Sequence, residues 1–179
     1  SINSMLVILD VNRPGMTECP DLIKLEKTIV LLDHHRQTND TIRNTVLSYI
    51  EPYASSTCEM VAEILQYIPD KPRLRPIEAD ALYAGILVDT DNFVVRAGVR
   101  TFEAAAYLRR NGADVMRVRK LFRIDMDAYR ARTDAVRNFE VFRNVFAISL
   151  FDGEGIDSPT VIGAQAANEL LNINGIKAS

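Results

Sequence analysis

Long hydrophobic runs are missing from this chain of 179 residues. No stretch approaches the roughly 18 uninterrupted apolar residues that a membrane-spanning helix needs, so no segment within these residues reads as one. No signal-peptide pattern is legible. Cysteine is scarce, with only Cys19 and Cys58, and their spacing matches no metal-binding pattern. They read as reduced thiols of a cytosolic protein, with a disulfide left open. A basic excess is absent too: 21 Lys and Arg stand against 24 Asp and Glu, a net charge of −3. No internal repeat or low-complexity segment occurs. Histidine appears only twice, and the two are adjacent.

What is present is an ordinary soluble globular composition, 47 % hydrophobic and 25 % charged, long enough for one sizeable core or two small ones. The chain is organised around Ile29-Val30-Leu31-Leu32-Asp33-His34-His35-Arg36. Four aliphatic residues read as a buried strand of a parallel sheet. The polar cluster falls at the strand's C-terminal end, the edge where open α/β sheets bind ligands. Met5–Asp10 (MLVILD) repeats the design, and Gly85–Thr90 (GILVDT) is a third apolar run meeting an acid. Three acids converging on one sheet edge with two imidazoles form a ligand mix for Mn²⁺, Fe²⁺ or Zn²⁺ rather than calcium. The bland alternative for adjacent histidines at a strand end is ordinary loop polarity.

Along the chain, Met5–Asp10 is a strand, residues 20–26 a short helix, 28–33 the central strand and Thr45–Ile50 a further strand. Ser56-Thr57-Cys58-Glu59 is a capping box opening a helix with Val61, Ile64, Leu65 and Ile68 on one face. Its N-terminus, with Ser55, Ser56 and Thr57, suits a phosphate as well as a simple cap. Pro76 starts a helix with Ile77, Ala81, Leu82 and Gly85 at helical spacing, reaching about Leu87. Residues 92–100 form a loop, Thr101 caps the next helix, and Asp114 caps another that buries Val115, Val118, Leu121 and Phe122. Asp125 opens a long helix to about Phe142. Asn144–Leu150 follows as the first strand of a second domain, and residues 160–171 form a last helix. Residues 109–143 hold ten Lys and Arg against five Asp and Glu. This excess suits an anionic substrate, but i,i+4 ion pairs on solvated helix faces account for most of it.

The Asp33-His34-His35 tripeptide, the upstream strand ending in Asp10, and Gly85–Thr90 together resemble the DHH phosphoesterase superfamily. The resemblance is strongest to its membrane-anchored cyclic di-AMP phosphodiesterase branch. Tyr49–Thr57 (YIEPYASST) and Val99–Leu108 (VRTFEAAAYL) carry the same likeness. It implies an α/β fold, a mostly parallel sheet flanked by helices, linked by a long helix to the start of a smaller α+β domain. The corresponding domains are residues 1–112, a DHH domain without its first metal motif, 113–143, linker helices, and 144–179, the truncated start of a substrate-binding domain.

The likeness also implies the site. Asp10 is the expected bridging metal ligand, His34 and Asp89 ligands of the second metal, and His35 the catalytic histidine facing the phosphate. Asp33 orients His34 from behind, while Arg36, Ser56, Thr57 and Arg100 are candidate substrate contacts. The implied cofactor is Mn²⁺, two ions in an intact protein and at most one in this stretch. The implied reaction is hydrolysis of cyclic di-AMP to the linear dinucleotide, with this stretch alone expected to be inactive. Short-oligonucleotide hydrolysis and a non-catalytic nucleotide-sensing module are the alternatives. The second draws on Val11-Asn12, which stands where the family usually has Thr-His. No duplex nucleic acid and no membrane contact within these residues are expected, and a homodimer stays open. The parent protein is expected at the bacterial cell membrane with this part in the cytoplasm.

Overall fold

The computed structural model describes residues 4–69 and 72–179. The chain forms two compact units that divide between Leu121 and Phe122. In the first, β1 (Leu6–Leu9), β2 (Ile29–Asp33) and β3 (Leu47–Ile50) make a parallel sheet in the order β1-β2-β3. The register pairs Leu9 with Leu32 and Asp33 with Ile50. All three strands therefore finish at one edge, and Asp10, His34 and Glu51 leave it together. β2 is paired on both sides, and Ile29 and Leu31 are fully buried, each such side chain worth about 1.5–3 kcal/mol. With Ile8 and Ile42 they form the core of one sheet face, closed by Leu6, Val11, Ile23 and Ile50.

The helices of this unit are α1 (Asp21–Leu25), α2 (Thr57–Tyr67), α3 (Pro76–Asp89), α4 (Val99–Arg110) and α5 (Val115–Leu121). Of these, α2 to α5 share a second core built on Ala62, Ala79, Tyr83, Ile86, Leu108 and Val118. Small residues let α2, α3 and α4 approach closely. The parallel sheet and flanking helices match the sequence reading, but several helix faces do not. On α3 the buried face carries Ala79, Tyr83, Ile86 and Leu87 while Ile77 is exposed. On α2 it is Met60 and Ala62 that are buried, and Ile68 is exposed. On α5 only Val118 is buried, and Leu121 and Phe122 are exposed. A nearly all-apolar helix has no polar face to fix its phase, so packing decides. Thr101 is not an N-cap. Gly98 is the N-cap, and the Thr101 hydroxyl, at the third helical position, accepts the Gly98 N–H at 3.0 Å. The cap at Asp114 holds, its carboxylate accepting the N–H groups of Met116 and Arg117.

Gly85 marks the crossing of α2 and α3. A Cβ there would run into the Cys58 Sγ and lie 3.3 Å from the Cys58 Cβ. Gly85→Ala is therefore expected to destabilise the first unit by about 1–3 kcal/mol, despite a helix-propensity gain of about 1 kcal/mol. Combining it with Cys58→Ala should recover most of the loss. Urea unfolding of the two single variants and the double variant checks this. A single Gly85→Ala variant more stable than wild type would refute the tight crossing.

In the second unit, α6 (Met126–Arg137) packs on α7 (Pro159–Leu170), and β4 (Glu140–Phe142) and β5 (Phe146–Ile148) form an antiparallel pair. Asp125 caps α6 as expected, accepting from Asp127 and Ala128 at 2.9 and 2.8 Å. The helix stops at Arg137 rather than near Phe142, because Val141 and Phe142 pair across a hairpin with Ala147 and Phe146. Arg143 and Asn144 take left-handed φ of 49° and 60° at its turn, as primed hairpin turns require. Asn144–Leu150 thus holds the second strand of this unit, not its first. The stretch 113–143, read as linker helices, is divided: α5 packs on α3, and α6 on α7. Several of its arginines are spent locally. Arg117 pairs with buried Asp80 at 2.6 Å, Arg130 with Asp127 and Arg132 with Glu169. Among the described residues no helix is long and apolar enough to cross a membrane.

Candidate metal centre

Asp10 leaves β1 in the left-handed region, at φ 66°, a conformation that aspartate tolerates better than most residues. Its N–H is still tied to the Leu32 carbonyl at 3.0 Å. His34 leaves β2 and is buried. The His34 Nε2 lies 3.4 Å from the Asp10 Oδ1 and 3.6 Å from the Asp89 Oδ2. Asp89 is the last residue of α3. The third apolar run is thus the end of the helix read from Pro76, and it brings its acid to the sheet edge from the side.

One ring nitrogen faces two carboxylate oxygens, an arrangement that a proton or a cation between them satisfies. Metal–ligand bonds of about 2.1 Å imply ligand–ligand separations of about 3–3.4 Å, close to those seen here. Donor atoms of Asp10, His34 and His35 also all lie within 4.8 Å of one another. The Asp33 Oδ2 is buried without a hydrogen-bond partner among the described residues. Two carboxylates with imidazole fit a borderline transition metal. Burial is the main cause raising the Asp89 carboxyl above the usual carboxylate range. The Asp10 carboxylate adds to the rise, and His34 opposes it.

Asp33 serves His35, not His34. Its Oδ1 accepts the His35 backbone N–H at 3.1 Å and lies 2.7 Å from the His35 Nδ1. An aspartate side chain at a turn reaches backbone two residues on, so the neighbour at i+2 is the one it holds. Asn12 is buried, and its amide donates to the His35 carbonyl at 3.2 Å. It braces the histidine loop. Sequence reasoning missed the role of Thr57. Its buried hydroxyl donates to the Asp10 Oδ1 at 2.8 Å, pinning the carboxylate to the first residue of α2. Thr57→Val is expected to weaken divalent-metal binding about tenfold, in the range for loss of a partner behind a ligand, while Thr57→Ser keeps it. Calorimetric titration checks this, and wild-type affinity in Thr57→Val would refute the role.

A model of the DHH family, N-terminal domain, matches residues 2–86. Residues 2–86 are a DHH-family domain. The chain is 41 % identical over 176 residues to the cyclic-di-AMP phosphodiesterase PdeA of Listeria monocytogenes, covering 98 % of this chain and 27 % of the relative. It is also 41 % identical over 178 residues to the cyclic-di-AMP phosphodiesterase GdpP of Bacillus subtilis, covering 99 % of this chain and again 27 % of the relative. The chain thus spans about a quarter of the length of these curated relatives. An exopolyphosphatase-related protein from Bacteroides fragilis shares the fold at a TM-score of 0.79 and 19 % identity, covering 96 % of this chain and 52 % of that one.

Around the DHH centre the expected substrate contacts divide. The Ser56 side chain is fully buried and caps α2, accepting the Glu59 N–H at 3.0 Å. Glu59 turns back to Ser55 rather than to the cap, and accepts its hydroxyl at 2.5 Å. With Thr57 committed to Asp10, neither Ser56 nor Thr57 offers a hydroxyl to a phosphate. Arg100 is held by Glu63 in two bonds of 2.7 Å, which raises its pKa further. It lines a cavity of about 810 Å³ with Tyr49, Gln66 and Arg110, and none of the metal-centre residues lines it. Arg36 is exposed beside His35 and keeps its guanidinium unpaired among the described residues. Cys19 and Cys58 are both free thiols. Burial, then Asp89 and Asp10, pushes the Cys58 thiol up to about 11, so it is protonated and inert near neutrality.

Proposed function

We propose that the protein to which these residues belong hydrolyses cyclic di-AMP to the linear dinucleotide with Mn²⁺. The observation that carries the reading is the meeting of Asp10, His34 and Asp89 at one sheet edge, directly beside His35. Both curated relatives described above are named as cyclic-di-AMP phosphodiesterases. In this reading Asp10, His34 and Asp89 hold the metal, with Thr57 fixing the Asp10 carboxylate. Bound there, a divalent ion supplies an activated water and neutralises phosphate charge. The His35 Nδ1–H donates to the buried Asp33 carboxylate, which leaves its Nε2 to take or give a proton at a phosphate oxygen. The reading also places the parent protein at the bacterial membrane, anchored through segments other than these.

The test is turnover of cyclic di-AMP by the natural full-length protein with Mn²⁺, followed by chromatography of the product. The linear dinucleotide should appear, disappear on chelation and return on adding Mn²⁺. A metal-loaded protein that leaves cyclic di-AMP intact would overturn the reading.

A further inference from the structure

Beside His35 lies a second concavity, of about 320 Å³, lined by Arg36, Gln37, Ile50, Pro52 and Tyr53. Its size is at the lower end of small-ligand pockets. It belongs to the same sheet edge as the metal centre. Arg36 directly follows His35, and Ile50 is paired with Asp33 across the sheet.

The walls of this concavity are chemically divided. Ile50 and Pro52 give an apolar floor. Tyr53 is 93 % exposed, yet the backbone that carries it is fixed. The Ala54 N–H closes a turn on the Glu51 carbonyl at 3.0 Å, and the Tyr53 N–H donates to the Glu51 carboxylate at 3.2 Å. Ala54 and Ser55, next along the chain, are buried anchors. A large aromatic side chain is thus displayed in full on a rigid turn, and the guanidinium of Arg36 on the facing loop has no partner among the described residues. An aromatic face binds a base by stacking without sequence preference. A free guanidinium binds phosphate.

We infer that this concavity is a nucleotide subsite. Tyr53 stacks on the heterocyclic base of the nucleoside flanking the scissile phosphodiester, and Arg36 holds a phosphate oxygen of the same nucleotide. The inference rests on the phosphodiesterase reading for the position of the scissile bond, while the stacking contact is separable from it. Tyr53 is then a binding residue whose energy comes from its ring face and not from its hydroxyl.

The experiment measures equilibrium binding of AMP and of inorganic phosphate to the full-length, Mn²⁺-loaded protein, with cyclic di-AMP turnover recorded alongside. Tyr53→Ala should weaken AMP binding about 5- to 150-fold, the loss of one base–aromatic stack, and leave inorganic phosphate binding unchanged. Tyr53→Phe should bind AMP as wild type does. Tyr67→Ala, another highly exposed tyrosine lining the larger cavity, should do the same. The inference is overturned if wild type fails to bind AMP, if Tyr53→Ala binds it undiminished, or if AMP and phosphate weaken equally. Absence of turnover with a Tyr53-dependent AMP affinity would sink the substrate reading and leave the subsite standing.

Discussion

Replacing His34 by alanine is expected to lower Mn²⁺ affinity by more than the factor of about 10–100 typical of removing a partner behind a ligand, and to abolish turnover with it. The reason is geometric. The His34 Nε2 is the atom that both carboxylates face, at 3.4 and 3.6 Å. Without it Asp10 and Asp89 are two like charges with nothing between them. Asp89 is already raised by burial and by Asp10, and His34 counters that rise. Removing the imidazole therefore favours a protonated Asp89, a poorer ligand. His34 is buried, so the alanine variant also leaves a cavity, and its fold must be checked by circular dichroism. His34→Gln keeps more of the volume and should fail in the same way. Equal Mn²⁺ affinity in wild type and both variants would contradict the ligand role.

Asp33→Asn should behave differently. Asp33 touches His35 and not the convergence of Asp10, His34 and Asp89. The variant should keep its Mn²⁺ while kcat falls about 10–100-fold, the usual cost of losing a carboxylate that orients a functional histidine. An asparagine still accepts the His35 backbone N–H, so the loop survives. What is lost is the charge behind the ring, which fixes the tautomer. The comparison separates two adjacent histidines: one variant loses metal, the other loses rate. Metal loss in Asp33→Asn, or an unchanged kcat, would show that Asp33 serves a different partner.

The strands and the acids at their ends were legible because a buried parallel strand is written as a short aliphatic run, and a run that stops at Asp marks its own end. That signal singles out Asp10 and His34, and the family resemblance supplies their expected roles as ligands. Asp89 is legible as the acid that closes the apolar run of a helix read from Pro76 to about Leu87, and the helix runs two residues further, to Asp89 itself. Helix phases were lost in α3, where no polar face breaks the symmetry. Contacts distant in sequence left no local trace. The Thr57 hydroxyl meets Asp10 across 47 positions, and Arg100 meets Glu63 across 37. Ser56, Thr57 and Arg100 looked like phosphate contacts because their side chains suit phosphate, but the fold had already engaged them. Tyr53 entered only as part of the Tyr49–Thr57 likeness, with no role of its own, since an exposed aromatic ring is indistinguishable in sequence from a buried one.

The most direct test of the central claim is pulsed electron paramagnetic resonance of Mn²⁺ bound to this 179-residue chain, where at most one ion is expected. The geometry predicts a nitrogen coupling from one directly bound imidazole, present in wild type and in Asp33→Asn and absent in His34→Gln. Bound Mn²⁺ with no nitrogen coupling, or a coupling that survives the loss of His34, would contradict the assignment of this sheet edge as the metal centre.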